Sequence, residues 1–175
     1  MNILTKSCCV TGHRYKGFPW DYSVDKARTK AYLKRMYDII ENVITKGGFT
    51  HFISGGALGV DMDFAEAVLY FRDKKHYNIS LEIAIPCPNQ DLKWSAQDKF
   101  RYKIILDSAD LKTLVNEHYT SFCMHKRNEY MVDNSDLVLA FWNGEESGGT
   151  YYTISYAKKK EKRVFCCLLN DIKNT

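Results

Sequence analysis

Two rhythms of apolar residues alternate along the chain. Short apolar runs that stop at glycine, proline or polar clusters are followed by longer stretches in which apolar side chains return every three or four positions. Ser7 to Thr11 is such a run, stopped by Gly12, and Asp25 to Lys46 then carries Tyr32, Met36, Ile40 and Val43 at helical spacing before Gly47-Gly48. A second strand is expected over Thr50 to Ser54, followed by a helix from Leu58 to Lys74 with Val60, Phe64, Ala67, Val68 and Phe71 on one face. Ser80 to Ile85 reads as a strand ended by Pro86. Ser95 and Asp98 have capping-box spacing and open a helix expected to turn Phe100, Ile104 and Ile105 inward. A strand over Lys112 to Val115, a helix over Ser121 to Val132, a strong strand over Asp136 to Trp142, a helix over Thr150 to Lys160 and a strand over Arg163 to Leu169 complete the pattern.

About six strands alternating with five helices require right-handed crossovers, and these place helices on both faces of a mostly parallel sheet. The expected fold is therefore α/β, a single Rossmann-like domain over residues 1–175, with no internal repeat or linker. Ligands of such sheets lie outside the carboxyl ends of the strands. The segments to inspect are thus Thr11-Gly12-His13-Arg14, Ser54-Gly55-Gly56-Ala57-Leu58-Gly59-Val60-Asp61, and Asn143-Gly144 with Gly148-Gly149-Thr150.

Composition narrows this picture modestly. At 175 residues the chain can bury a core without disulfides or metals, and 45% hydrophobic content argues against disorder. A net charge of +4 falls short of a dedicated DNA-binding domain and argues against nucleic acid as the main partner. The run Lys158-Lys159-Lys160 with Lys162 and Arg163 reads as a solvated helix end. No basic-then-apolar leader and no run of membrane-spanning length is visible, so a cytoplasmic protein with no membrane partner is expected. Cys8-Cys9 and Cys166-Cys167 are adjacent pairs in strands, where neighbours face opposite ways, and Cys87 and Cys123 stand isolated. Reduced, mostly buried thiols are expected. His118, Cys123 and His125 lack a fourth ligand, so neither a metal nor a cofactor is expected.

The loop from Ser54 to Gly59 sets small residues between a strand and a helix, where phosphate oxygens can reach backbone N–H groups at the positive helix end. Ala57 and Val60 break the dinucleotide fingerprint, and no Gly-Lys-Ser/Thr makes a Walker A loop. Taken alone, this loop is equally well explained by turn geometry. A second glycine loop after another parallel strand, Gly148-Gly149-Thr150, tilts the balance toward phosphate. The candidate ligand-binding residues are Thr11, Gly12, Arg14, Gly55, Gly56, Gly59, Asp61, Trp94, Arg127, Asn128, Asn143, Gly148, Gly149 and Thr150. Arg14 would neutralise phosphate unless it forms a surface ion pair, Asp61 would hold a hydroxyl or the loop itself, and Arg127-Asn128 would reach in from a helix. Trp94, with Arg101 and Tyr102 nearby, would stack on a base.

These segments, together with Asp133-Asn134-Ser135-Asp136, resemble the YpsA-like branch of the SLOG superfamily over nearly the whole chain. That superfamily also holds the LONELY GUY phosphoribohydrolases and the DNA-processing protein of natural transformation. The resemblance implies a Rossmann-like nucleotide binder that senses or sequesters a ligand such as ADP-ribose or a cyclic nucleotide signal. A homo-oligomer is a further partner expectation. The phosphoribohydrolases place a glutamate after P-G-G-x-G-T, where this chain has Tyr151-Tyr152-Thr153. A rival reading is N-glycosidic cleavage using Asp61 or Glu66 as the catalytic carboxylate. Single-stranded DNA binding by analogy with the DNA-processing protein is the third reading, and it needs a basic groove with aromatic platforms.

Overall fold

A computed structural model describes residues 5–173. Strands β1 (Ser7–Gly12), β2 (His51–Ser54), β3 (Ser80–Ile85), β4 (Leu111–Leu114), β5 (Leu137–Trp142) and β6 (Arg163–Leu168) alternate with helices α1 (Lys26–Thr45), α2 (Val60–Asp73), α3 (Ala96–Ser108), α4 (Cys123–Asp133) and α5 (Gly148–Lys159). The strands lie in the order β4-β3-β2-β1-β5-β6, and every pairing is parallel. The chain steps outward from β1 to β4, then returns to place β5 on the other side of β1. That reversal opens a crevice between the carboxyl ends of β1 and β5.

Alternation along the strands sorts the core into two layers. Cys8, Val10, Phe52, Leu81, Ile83, Leu139 and Phe141 face α1, α2 and α3, packing on Tyr32, Met36, Ile40, Phe64, Val68 and Ile105. Cys9, Ile53, Ala84 and Val138 face Met131 and Val132 of α4 and Ala157 of α5. Asp25 caps α1 by accepting from the Arg28 N–H. Ser95 caps α3 by accepting from the Asp98 N–H, as its spacing predicts.

The inward face of α3 matches the expected one at Ile105 but not at Phe100 and Ile104. Phe100 is 66% exposed and Ile104 50% exposed, while Tyr102 and Ile105 are buried. The helix sits beside an edge of the sheet, and packing of Tyr102 against Trp94, with a hydrogen bond from Gln90 to its hydroxyl, sets its rotation instead. Helix α5 begins at Gly148, so both glycines lie inside its first turn rather than before it. Two short 3₁₀ turns, Tyr15–Gly17 and Leu169–Asp171, follow β1 and β6 without a periodic signal. Among the cysteines, Cys166 is exposed and the other five are buried. Among the described residues, no helix is long and apolar enough to cross a membrane.

A polar knot on the α4 side ties that helix to the sheet. Glu82 is buried and accepts hydrogen bonds from Thr113 Oγ1 and Tyr130 of α4, both at 2.7 Å, while His51 Nε2 lies 2.8 Å from its other oxygen. Burial pushes the Glu82 carboxyl up, but these bonds outweigh burial and hold it below the usual carboxylate range. The unfolded chain therefore takes up this proton first as pH falls. The stability supplied by ionised Glu82 is present in full above the ordinary carboxylate value of about 4.3 and is lost on descent toward the folded-state value. Asp61 and Asp63 are shifted upward, the opposite direction, so the diagnostic quantity is the gap between wild type and Glu82→Gln. We expect a gap of about 1.5–3 kcal/mol in urea denaturation at pH 7, shrinking as pH is lowered through about 4 toward 3. A gap that stays constant with pH would show that the ionised form is not the stabilising one.

Candidate functional site

The crevice between β1 and β5 is a cleft of about 310 Å³. Its lining comes from five places in the chain. Thr11 and Gly12 end β1 and His13, Arg14, Lys16 and Gly17 follow it, while Ala57 and Leu58 follow β2 and Asp61 opens α2. Gln90 and Trp94 precede α3, Met124, Arg127, Asn128 and Met131 belong to α4, and Gly149 and Thr150 open α5. Of the residues expected from sequence, Thr11, Gly12, Arg14, Asp61, Trp94, Arg127, Asn128, Gly149 and Thr150 come together here. Gly55, Gly56, Gly59, Asn143 and Gly148 do not line the cleft.

The glycines after β2 are explained by protein neighbours. A Cβ at Gly55 would overlap the Arg127 guanidinium, and one at Gly59, whose φ is +95°, would overlap the His13 carbonyl. Gly56 has φ +61°, and its Cβ would lie 2.8 Å from the Tyr102 ring. Some N–H groups of this loop are also engaged. Gly56 donates to Ser54 Oγ at 3.1 Å and Val60 to the His13 carbonyl at 3.2 Å, while Ala57 makes a long 3.5 Å contact to Asp61. Turn and packing geometry thus account for the β2 loop.

The start of α5 is built differently. Its N-cap, Ser147, makes no side-chain capping bond, so the first-turn N–H groups are left to other partners. A Cβ on Gly149 would meet only Asn128 Nδ2, at 3.9 Å. Thr153 stands where the phosphoribohydrolases carry their glutamate. It is fully buried and donates to the Gly149 carbonyl at 2.8 Å, so no ionisable group occupies that place. Asn143 donates to the Gly17 carbonyl at 3.1 Å and so fastens the 3₁₀ turn behind the cleft.

Arg127 and Asp61 form the cleft floor. Arg127 is buried and donates from Nη1 to the Gly55 carbonyl at 2.6 Å and from Nε to Asn128 Oδ1 at 2.8 Å; Asp61 Oδ2 lies 3.8 Å from Nη1. Burial works against both charges, lifting the Asp61 carboxyl and lowering Arg127, and their mutual attraction only partly offsets it. Arg14 and Lys16, by contrast, are exposed at the mouth, and among the described residues neither side chain has an ion-pair partner. The surface ion pair that would have made Arg14 structural is therefore not formed. Burial lowers the imidazole of His13, and its buried Nε2 has no hydrogen-bond partner among the described residues.

Glu66 lies outside the cleft, on the opposite face of α2. Arg101 grips both of its oxygens at 2.7 and 2.8 Å and donates to Asp63 at 2.7 Å. Asp63 also accepts from Tyr15 at 2.7 Å and Tyr32 at 3.0 Å, which anchors the segment carrying Arg14 and Lys16. Arg101 is thus committed to this hub and is not a base-stacking residue. Trp94 lines the cleft and packs edge-on against Tyr102, at 5.3 Å between ring centroids. Sequence reasoning missed His13, Lys16, Gly17, Ala57, Leu58, Gln90, Met124 and Met131. His13, Ala57 and Leu58 sat inside motifs that had already been singled out, whereas the rest have no local signal.

The profile of the YspA SLOG family matches residues 8–170, which include every strand and helix around this cleft except the first residue of β1. The chain belongs to that family. Within the family's range of sequence, the chain is 38% identical over 137 residues to the SPbeta prophage-derived protein YoqJ of Bacillus subtilis, covering 71% of this chain and 79% of YoqJ. It is 24% identical to the UPF0398 protein YpsA of the same organism, covering 97% of this chain and 96% of YpsA. With the UPF0398 protein BH1768 of Halalkalibacterium halodurans it shares 26% identity, over 75% of this chain and 70% of that relative. The YspA SLOG match therefore rests on the whole sheet and not on one loop.

Proposed function

We propose that this SLOG-family chain binds a nucleotide-derived phosphate ligand, of the ADP-ribose or cyclic nucleotide kind, in the cleft between β1 and β5, and senses or sequesters it without turning it over. The observation that carries this reading is the pairing of free cations with a free helix start. Among the described residues, Arg14 and Lys16 stand without an ion-pair partner at the mouth of a cleft that also holds the first turn of α5 at Gly149 and Thr150. Backbone N–H groups at a positive helix end together with a planar guanidinium are a phosphate-binding combination. Trp94 offers the adjacent wall to a base, and the volume falls within the range of roughly 300–1,000 Å³ usual for small-molecule sites. The phosphate is thereby assigned to the α5 loop, with the β2 loop shaping the floor.

Glycosidase chemistry keeps one candidate, Asp61, a buried carboxyl in the cleft whose proton affinity is raised by burial. Stoichiometric protein incubated with ADP-ribose, cyclic ADP-ribose isomers and nucleoside monophosphates, then denatured and resolved by chromatography, separates the two readings. We expect at least one of these ligands to bind and to be recovered intact. In Arg14→Ala its affinity should fall about 10- to 150-fold, which corresponds to a charge-assisted hydrogen bond of about 1.5–3 kcal/mol, with an unchanged melting temperature. Multiple-turnover release of free base that disappears in Asp61→Asn would replace binding by hydrolysis, and failure of all of them to bind would remove the nucleotide reading.

A further inference from the structure

Cys87 and Cys123, isolated in sequence, meet in the fold with their sulfurs 3.4 Å apart. Cys87 follows β3 in the segment that also carries Gln90 and Trp94, and Cys123 is the first residue of α4, ahead of Met124, Arg127 and Asn128. The two segments are tied at the backbone by Asn116, whose Nδ2 donates to the Pro86 carbonyl at 2.7 Å and lies 3.5 Å from the Cys123 carbonyl. Closing a disulfide of about 2.05 Å needs the sulfurs to approach by only about 1.3 Å, which side-chain rotation and a small backbone shift can supply. Neither Cys8-Cys9 nor Cys166-Cys167 is placed this way, because strand neighbours point to opposite faces.

We propose that Cys87 and Cys123 are a reversible dithiol–disulfide modification site that takes a hydroperoxide as its oxidant and, when oxidised, clamps α4 to the β3–α3 segment across the cleft wall. The proposal does not depend on which ligand the cleft holds. Both residues are 1% exposed, and access comes through the start of α4. The N-cap position, Phe122, supplies no side-chain cap, and residues 117–122 are all exposed. Such a helix start frays readily. The Cys123 thiolate attacks one peroxide oxygen, the O–O bond breaks, and an alcohol or water leaves once protonated, giving a sulfenic acid. Cys87 then attacks the Cys123 sulfur; the S–S bond forms, the S–O bond breaks, and the hydroxyl departs as water with the Cys87 proton. Two thiols lose two electrons and the hydroperoxide gains them. The first attack falls to Cys123 because it opens α4 at the uncapped, fraying helix start, and Cys87, 3.4 Å away, resolves it.

The test uses the full chain treated with hydrogen peroxide, with remaining thiols alkylated under denaturing conditions and peptides mapped by mass spectrometry without reductant. The expected result is a Cys87–Cys123 linked peptide, reversed by dithiothreitol, absent in Cys87→Ser and Cys123→Ser, and retained in Cys166→Ser. The oxidised wild type should melt on the order of 5–10 °C higher, as expected for a closed loop of this length in a chain of this size. Amides in the first turn of α4 should exchange more slowly in the oxidised form. Two results would overturn the proposal: Cys87 and Cys123 still alkylated as free thiols while exposed Cys166 is oxidised, or higher sulfur oxides at either position with no link.

Discussion

Arg127→Met is expected to lower folding stability by about 3–5 kcal/mol, the cost of leaving a buried charge without its partner. For a domain of this size, that moves the melting temperature on the order of 10 °C. The expectation rests on what the guanidinium does: it is buried, donates to the Gly55 carbonyl at 2.6 Å, and is the only cation within 4 Å of Asp61 among the described residues. Methionine fills a similar volume but leaves the Gly55 carbonyl without this donor and the Asp61 carboxyl without a counter-charge. The double variant Arg127→Met/Asp61→Asn should recover part of the loss, because its carboxamide no longer carries the charge that needs compensation. Chemical denaturation of the three proteins measures this. A single-variant cost below about 1 kcal/mol, the scale of an exposed pair, would show that the floor of the cleft is solvated and that Arg127 is free to serve a ligand.

Gly149→Val should abolish binding of the phosphate ligand while leaving the fold intact, and Gly56→Val should damage the fold itself. The difference follows from the space around each backbone. At Gly149 an added Cβ meets no atom of another segment closer than 3.9 Å, at a position that lines the cleft in the first turn of α5. Blocking two charge-assisted bonds to the phosphate costs at least about 2.7 kcal/mol, or a hundredfold in affinity. At Gly56 the backbone has φ +61° and a Cβ would press on the Tyr102 ring, so a β-branched residue is strained before any ligand arrives. Isothermal titration with the bound nucleotide, alongside melting curves, reads both effects. A Gly149→Val protein that binds at wild-type affinity would remove α5 from the site, and a native-like melting temperature for Gly56→Val would mean that the β2 loop is slack.

Neighbouring residues along the chain were enough to establish the α/β alternation, the mostly parallel sheet with helices on both faces and the SLOG resemblance. Each depends on local periodicity or on contiguous motifs. A strand needs only its own alternation to declare two faces, and α2 showed its buried face because its whole length packs against the sheet and α1. Helix α3 misled for the same reason in reverse. It lies beside an edge strand, where a narrow contact through Tyr102 and Ile105 outvotes the apolar spacing of Phe100 and Ile104.

The roles of the glycines and charges were decided only in three dimensions. Gly55 and Gly149 look alike in sequence, yet Gly55 is closed by the Arg127 guanidinium and Gly149 opens on the cleft. Asp61 and Glu66, five residues apart on one helix, leave on opposite faces, one to the cleft and one to Arg101. Cys87 and Cys123 are 36 residues apart and in contact. What fills the space beside a residue comes from distant segments brought in by the parallel crossovers, and no local pattern encodes it.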